Sequence, residues 1–515
     1  MAEAVADAVR AAWRRHLSGE PDPERLRADL AAGTMAEAFA STAADRPGAP
    51  ALEIDGTALT HGEIDERAAR IGGFLRSRGV AAGDRVLLCA PTSTDLVLSY
   101  VGILRIGATA MPCDAKLTVA ELTHVLEDGE PVAAFVAPEA RPSLARAGDP
   151  ATVVAIGGAA DDAIPLADAL AAAPVVPEPH PGPAMLAYTS GTTGAPKGVP
   201  LTHANVLAST RGVVHAWRWR ADDLLVHALP LSHQHGLSAV HLSLLCGSSA
   251  VVLSRFDPAA LCAAIRDRRA TVLFAVPAMY ERLDRFEGIR DADFGSLRLA
   301  VSGSAPLSPA VAERVDGWLG QLPLERYGST EAGLNVSNAY DGPRLPGRVG
   351  WALPGIELRL DGEQGEILVR GPQVFDGYWR RPDATAESLT EDGWFRTGDL
   401  GRIDPGDGSL EITGRSKELI ISGGLNVYPR EVEAALEAHA AVGQVAVAGV
   451  PSERWGEEVV AFVVPAAELD ADALIAHCRE RLSAYKCPKR VVALDELPVN
   501  RMGKVRRDAL AEMAG

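Results

Sequence analysis

From about residue 34 the chain alternates between two hydrophobic periods. Residues 62–77 (GEIDERAARIGGFLRS) space their apolar side chains three and four apart, as on one face of a helix. Residues 84–89 (DRVLLC) follow as a short apolar run of strand length. The pair recurs: 96–106 reads as helix and 108–112 as extended, 132–136 and 152–156 as further strands, and 261–268 with 271–275 as another helix and strand. Short buried strands alternating with helices predict parallel sheets with helices on their faces. Residues 224–254 carry no Asp, Glu, Lys or Arg, yet hold Pro230, two glycines and four histidines. That centre is too polar for a lipid span, so a buried helix over 237–245 and a buried strand over 250–253 are predicted.

The pattern changes at 345–380, where GRVGWALPGIELRL, GEILVRG and VFDGYW read as short strands with glycine turns, as in a small β-subdomain. Residues 399–414 read as a hairpin with Pro405, Gly406, Asp407 and Gly408 at its tip. Beyond it comes a unit of about 100 residues: helix over 430–438, strands over 445–449 and 459–464, helix over 471–482 and strand over 491–494. At 515 residues the chain is too long for one core. The expected organisation is a helical N-terminal extension (1–33), a large domain (34–414) and a smaller α+β domain (415–515), with the boundary near 414–417. The fold class is α/β, with two helix-covered, mostly parallel sheets and a small β-subdomain in the large domain.

Composition narrows the function. Hydrophobic residues make up 47% and charged residues 23%, the balance of a folded protein. The net charge of −18 argues against general nucleic-acid binding, though not against a small phosphorylated ligand in a local pocket. The six cysteines (89, 113, 246, 262, 478 and 487) form no CxxC pair and are too sparse for a disulfide framework. The N-terminus mixes acids and bases among its apolar residues, unlike a signal peptide. A cytoplasmic location without membrane insertion is expected.

The strongest local signal is AYTSGTTGAPKGVP at 187–200. A short apolar strand runs into Thr189, Ser190, Gly191, Thr192, Thr193, Gly194 and Lys197. Small residues let backbone N–H groups approach phosphate oxygens, hydroxyls add donors and the lysine adds charge. It is not a Walker loop. The segment resembles the signature of the adenylate-forming superfamily, which includes acyl-CoA synthetases and the adenylation domains of peptide synthetases. Further motifs of that family follow in order: PLSHQHGL at 230–237, SGSAPLS at 302–308, RYGSTEAG at 326–333, WFRTGDLG at 394–401, GRSKELIISGGLNVYPREVE at 414–433 and PVNRMGKV at 498–505. The resemblance covers about residues 34–510.

The resemblance implies ATP, Mg²⁺ and CoA as cofactors. A carboxylate attacks the α-phosphorus of ATP to give acyl-AMP, and a thiol then takes the acyl group. Both steps develop charge on oxygen, so fixed donors and cations matter more than a nucleophilic side chain. By resemblance, Thr189, Ser190, Thr192, Thr193 and Lys197 orient the phosphates, Thr330 contacts the α-phosphate and Glu331 holds magnesium. Tyr327 stacks on adenine, lined by Ser302, Gly303, Ser304 and Ala305, and Arg326, Gly328 and Ser329 complete that nucleotide motif. Asp399 accepts from the ribose hydroxyls and Arg415 supplies a second ribose or phosphate contact. Lys504 resembles the lysine that bridges the substrate carboxylate and the α-phosphate. P-x-x-x-x-G-K also resembles the acetylation target of such synthetases, which implies a lysine acetyltransferase as a partner, removing that charge. Lys417 falls at the family's hinge, about which the small domain acts as a mobile lid. Ser422, Gly423 and Gly424 fall in the loop that serves the thioester step.

The acid is less legible. The length, without a carrier domain, favours free CoA as the acceptor. PLSHQHGL lacks the Asp that amino-acid-activating relatives carry. Within the superfamily, the PLxHxHGL pattern at 230–237, VPAMYERL at 276–283 and RYGSTEAGLNVSNAYDGPRLPGRVG at 326–350 most resemble malonyl-CoA synthetases. In that subgroup an arginine matching Arg282 pairs with the distal carboxylate, while His233 and His235 line the acyl tunnel with Ser302 and Gly303. A malonate-like dicarboxylate is the first expectation. A larger fatty or cyclic acid of secondary metabolism, or loading of a separate carrier protein, stays open.

Overall fold

The computed structural model describes residues 9–19, 22–160, 162–189, 196–362, 365–422, 425–452, 454–500 and 504–514. Among these, the strands form four sheets. A nine-stranded sheet is parallel through its centre, where Leu224–His227, Ser249–Val252, Val272–Ala275, Leu299–Ser302 and Leu324–Ser329 lie. A seven-stranded sheet is parallel except for its edge pair Pro183–Thr189 and Lys197–Thr202. A four-stranded antiparallel sheet spans Glu357–Asp361 to Leu410–Arg415. The last sheet comprises Ile420–Ser422, Leu425–Val427, Val442–Ser452, Gly456–Pro465 and Arg490–Ala493. This is the architecture that the alternating pattern predicts.

The local reasons are simple. The apolar run at 84–89 becomes the strand Arg85–Cys89, whose last four residues are buried, as a strand covered on both faces requires. The helix expected over 62–77 runs His61–Ser77 and is opened by a capping box, Thr60 to Glu63. The uncharged stretch folds as the helix Gln234–Cys246 and the strand Ser249–Val252. The tip at 405–408 joins the strands Phe395–Ile403 and Leu410–Arg415. Residues 420–487 hold an apolar core of their own, around Ile420, Val432, Val447, Val459 and Leu474.

The N-terminal extension is helical over residues 9–14 and again at Pro23–Ala31. It packs on the outer side of the large domain. Trp13 is 2% exposed and its indole donates to Ile356 O at 2.8 Å. His16 Nε2 meets Trp351 O, and Arg27 pairs with Glu357. From the other direction, Arg211 on the helix His203–Ala216 donates to the carbonyls of Asp29, Leu30 and Ala32. The segment thus fastens the β-subdomain near residues 351–357 to that helix.

Candidate active site

In a parallel sheet, ligands collect at the carboxyl ends of strands. Four strands of the large sheet end beside one cleft of about 3100 Å³. After Leu224–His227 come Ser232 to His235, after Val272–Ala275 comes the helix Pro277–Asp284, after Leu299–Ser302 comes the turn at 303–305, and after Leu324–Ser329 come Thr330 and Glu331. The C-terminal unit closes the other side with Lys504 and the residues around Arg430.

Thr189 and Lys197 face each other across the pair of edge strands. The intervening Ser190, Gly191, Thr192, Thr193 and Gly194 lie outside the described residues. Lys197 Nζ stands 4.6 Å from the ring centre of Tyr378. The Tyr378 hydroxyl donates to Glu331 Oε1 at 3.0 Å, so Lys197, Tyr378 and Glu331 form one chain of contacts. The sequence does not point to Tyr378, because VFDGYW reads as a short strand with a glycine turn in a small β-subdomain. Its position after a glycine turn and before the exposed Arg380 was the available signal.

Asp399 lies across the hairpin from Arg415, whose Nε is 3.0 Å from Oδ1. The Tyr327 hydroxyl donates to Oδ2 at 2.6 Å. Burial and the Asp399 charge raise the Tyr327 pKa well above its ordinary value, so it stays a donor. The same carboxylate, ahead of the opposing cost of burial, raises the Arg415 pKa. Lys504 is presented by a backbone loop in which Asn500 N–H donates to Lys504 O at 2.8 Å. Its side chain is exposed towards the cleft, yet surrounded closely enough that desolvation, then Arg415, lower its pKa, against the pull of Asp399 and Glu331. Lys417 follows Arg415 on the exposed turn Ser416–Glu418. Ser422 is buried at the end of its strand, and Gly423 and Gly424 lie outside the described residues.

The part of the cleft around His235 is built differently. Ser304 adopts φ +69°, a strained conformation for a residue with a side chain, and its Oγ shares a 3.0 Å hydrogen bond with His235 Nδ1. His235 packs on Phe274, and burial followed by the nearby Arg326 charge lower its pKa well below the ordinary value, keeping it neutral. His233 and Ala305 line the same cleft, with Gly328 and Ser329. Ser302 is 1% exposed, and its Oγ finds no partner among the described residues. A Cβ on Gly303 would lie 2.3 Å from Arg326 Nε, so only glycine lets that guanidinium pass. Arg282 is exposed at the rim, its guanidinium 4.6 Å from the Phe256 ring centre. Thr210, Val213 and Trp217 also line the cleft, from the helix His203–Ala216 and its end. They too were missed, although the capping box Thr202 to Asn205 marks where that helix starts.

The strand pair ending at Thr189 and Lys197, the turn at Thr330 and Glu331 and the Asp399 carboxylate, gathered with Lys504 at one cleft, are the arrangement of an adenylate-forming enzyme. Residues 39–379 match the AMP-binding enzyme family and 431–504 match the AMP-binding enzyme C-terminal domain; the chain belongs to this family. It is 37% identical over 488 residues to a feruloyl-CoA synthase of Amycolatopsis sp, covering 91% of this chain and 96% of that one. It is 34% identical to the mitochondrial malonate–CoA ligase of Homo sapiens, over 87% of this chain and 85% of the relative. ATP-bound MatB from Rhodopseudomonas palustris superposes with a TM-score of 0.86 at 36% identity, covering 93% of this chain and 98% of that one.

Proposed function

We propose that the protein is an AMP-forming acid–CoA ligase that joins a carboxylic acid to ATP as acyl-AMP and then transfers the acyl group to CoA. The observation that carries this reading is Lys504. It comes from the C-terminal unit, yet it lines the same cleft as Asp399, Glu331, Arg415 and Arg326. A cation there offsets repulsion between two anions that must meet, the acid's carboxylate and the α-phosphate.

On this reading Asp399 takes the ribose diol as an acceptor-only group, with Tyr327 and Arg415 fixing its orientation. Tyr327 presents its ring to adenine beside Gly303, Ser304 and Ala305. Thr189 and Lys197 hold the outer phosphates with the intervening loop, and Thr330 meets the α-phosphate. The residues fit Mg²⁺: among the described residues no cluster of three metal-ligating side chains exists, while Glu331 keeps Oε2 outside its bond to Tyr378. One carboxylate beside polyphosphate suits an ion held mainly by nucleotide and water, whose bound charge would neutralise the phosphate oxygens. Lys417 is the hinge about which the C-terminal unit, from 415 onward, turns between half-reactions, bringing Ser422 and the following glycines to the thioester step.

The experiment is a carboxylic-acid panel with ATP and Mg²⁺, reading pyrophosphate release and, with CoA or a carrier protein added separately, thioester formation. Pyrophosphate release without thioester on CoA would reassign the second step to a carrier protein, and no release with any acid would overturn the reading.

A further inference from the structure

The N-terminal extension and the cleft meet on different sides of one helix. On His203–Ala216, Val206, Ser209, Thr210 and Val213 recur at three- and four-residue spacing and line the cleft, and Trp217 continues that wall past the helix end. Arg211 points away from the cleft. Its Nη1 donates to the carbonyls of Asp29, Leu30 and Ala32 at 3.1, 3.0 and 2.7 Å. These close the helix Pro23–Ala31, where carbonyls lack partners in their own helix and a guanidinium supplies one.

Arg218 makes the second attachment. Its backbone is left-handed, φ +51°, a conformation that a residue with a side chain keeps only where its neighbours hold it. Nη1 donates to His16 O at 3.0 Å and Nη2 pairs with Asp341 at 2.8 Å. The His16 N–H in turn donates to Trp13 O at 2.9 Å, and the Trp13 indole donates to Ile356 O, so Trp13 sets where the His16 carbonyl stands. The turn held in this way aims Trp217. The Trp217 indole donates to Ser337 Oγ at 2.9 Å, and its ring meets Phe274 edge-on with 5.6 Å between centres. His235 packs on the same Phe274 and bonds Ser304, so contacts run from the turn at 303–305 through His235 and Phe274 to Trp217. Trp217 is the far end of that row.

We propose that Arg211 and Arg218 are positioning residues for the acid: through them the N-terminal extension holds the helix His203–Ala216 and Trp217 where they set the length of acyl group the cleft admits. This rests on the acid–CoA ligase reading. Neither arginine touches the acid; each acts through the wall it fastens. A packed wall has few intermediate positions, so loosening its outer attachment shifts the inner face as a unit. Acids long enough to reach Trp217 feel that shift, and acetate does not.

The test measures pyrophosphate release with acetate, butyrate, octanoate and cinnamate, using the full chain, ATP, Mg²⁺ and CoA, in the wild type, Arg218→Ala, Arg218→Lys, Arg211→Gln and Trp13→Phe. Circular dichroism confirms that each variant folds. Arg218→Ala is expected to lose about tenfold in kcat/KM on octanoate and cinnamate, mostly through KM, the size of a small misplacement far from the chemistry. Acetate and the KM for ATP should move by about twofold at most. Arg211→Gln should show the same pattern, and Arg218→Lys, which keeps the charge and a donor, should recover part of the loss. Trp13→Phe loosens the attachment from the extension's own side and should give the same dependence on acid length at about threefold. Equal losses on all acids would overturn the proposal, because they would make the attachment structural only. So would unchanged kinetics, or a wild type that prefers acetate. If no acid releases pyrophosphate, the ligase reading is what fails, and hydrogen exchange over residues 203–219 still decides the attachment. Octanoate should then protect that segment in the wild type and less in Arg218→Ala, and the absence of protection in the wild type overturns the proposal.

Discussion

The two sides of the cleft treat charge in opposite ways. On the side proposed for the nucleotide the charged groups are already tied together: Asp399 to Tyr327 and Arg415, Glu331 to Tyr378, with Lys197 over the Tyr378 ring. On the side proposed for the acid, among the described residues, Arg326 has no hydrogen-bond or ion-pair partner and the neutral His235 keeps an unpartnered Nε2. The nucleotide side is preorganised for a ligand common to the whole family. The acyl side leaves its bonds to be completed by the one group that varies, which is where selectivity can be placed.

The largest test of this contrast is Lys504→Ala. It should lower acyl-AMP formation by about 10²–10³-fold, the worth of one preorganised charged donor, while thioester formation from supplied acyl-AMP stays near wild type. Pyrophosphate exchange and CoA consumption measured separately check it; equal loss of both would remove the case for a moving lid. Next comes Tyr378→Phe, which deletes a donor to the Glu331 carboxylate at about 1.5 kcal/mol or somewhat more. A roughly tenfold fall in kcat/KM for ATP, the same for every acid, is expected. An acid-dependent effect would blur the division between the two sides.

A third test uses pH. His16, buried in the N-terminal extension against Trp351 O, is held neutral, with burial lowering its pKa from 6.5 to about 4. Its folded pKa lies below its unfolded one, so its contribution is fully present above pH 6.5 and is lost as pH falls through about 4. That difference corresponds to about 3 kcal/mol at most. Thermal denaturation between pH 7 and 4.5 should show the loss, and His16→Gln should flatten it relative to wild type. The smallest effect is expected for Arg282→Ala. An exposed guanidinium over Phe256 contributes about 0.5–1 kcal/mol, so selectivity between dicarboxylate and monoacid should move by less than about fivefold. A large selective loss on malonate would place a distal carboxylate at Arg282.

Much of this was legible in the sequence, for physical reasons. Parallel strands buried on both faces leave short apolar runs such as 84–89 and 271–275, and the helices between them keep a helical period. The residues proposed for the nucleotide could be picked out because charge development on phosphate demands particular side chains at particular turns. Arg326 was legible as part of RYGSTE, but its direction was not, because that depends on Gly303 passing beneath it from another strand. Arg282 sits on an eight-residue helix, too short for its period to say which face meets the cleft. Nothing in the sequence near Trp13 names Ile356 as its partner.

That last contact has a consequence for how the chain is made. Trp13 waits for a carbonyl 343 residues further along. At 5–20 residues per second, synthesis alone imposes a delay of roughly 20–70 s before its partner exists. Through that interval the segment carries an unsatisfied tryptophan past every partly folded strand of the large domain. Its Arg, Asp and Glu residues, interspersed among the apolar ones, keep it from settling on the wrong surface. The segment is thus made long before the strand region it fastens to, and is among the last to find its place.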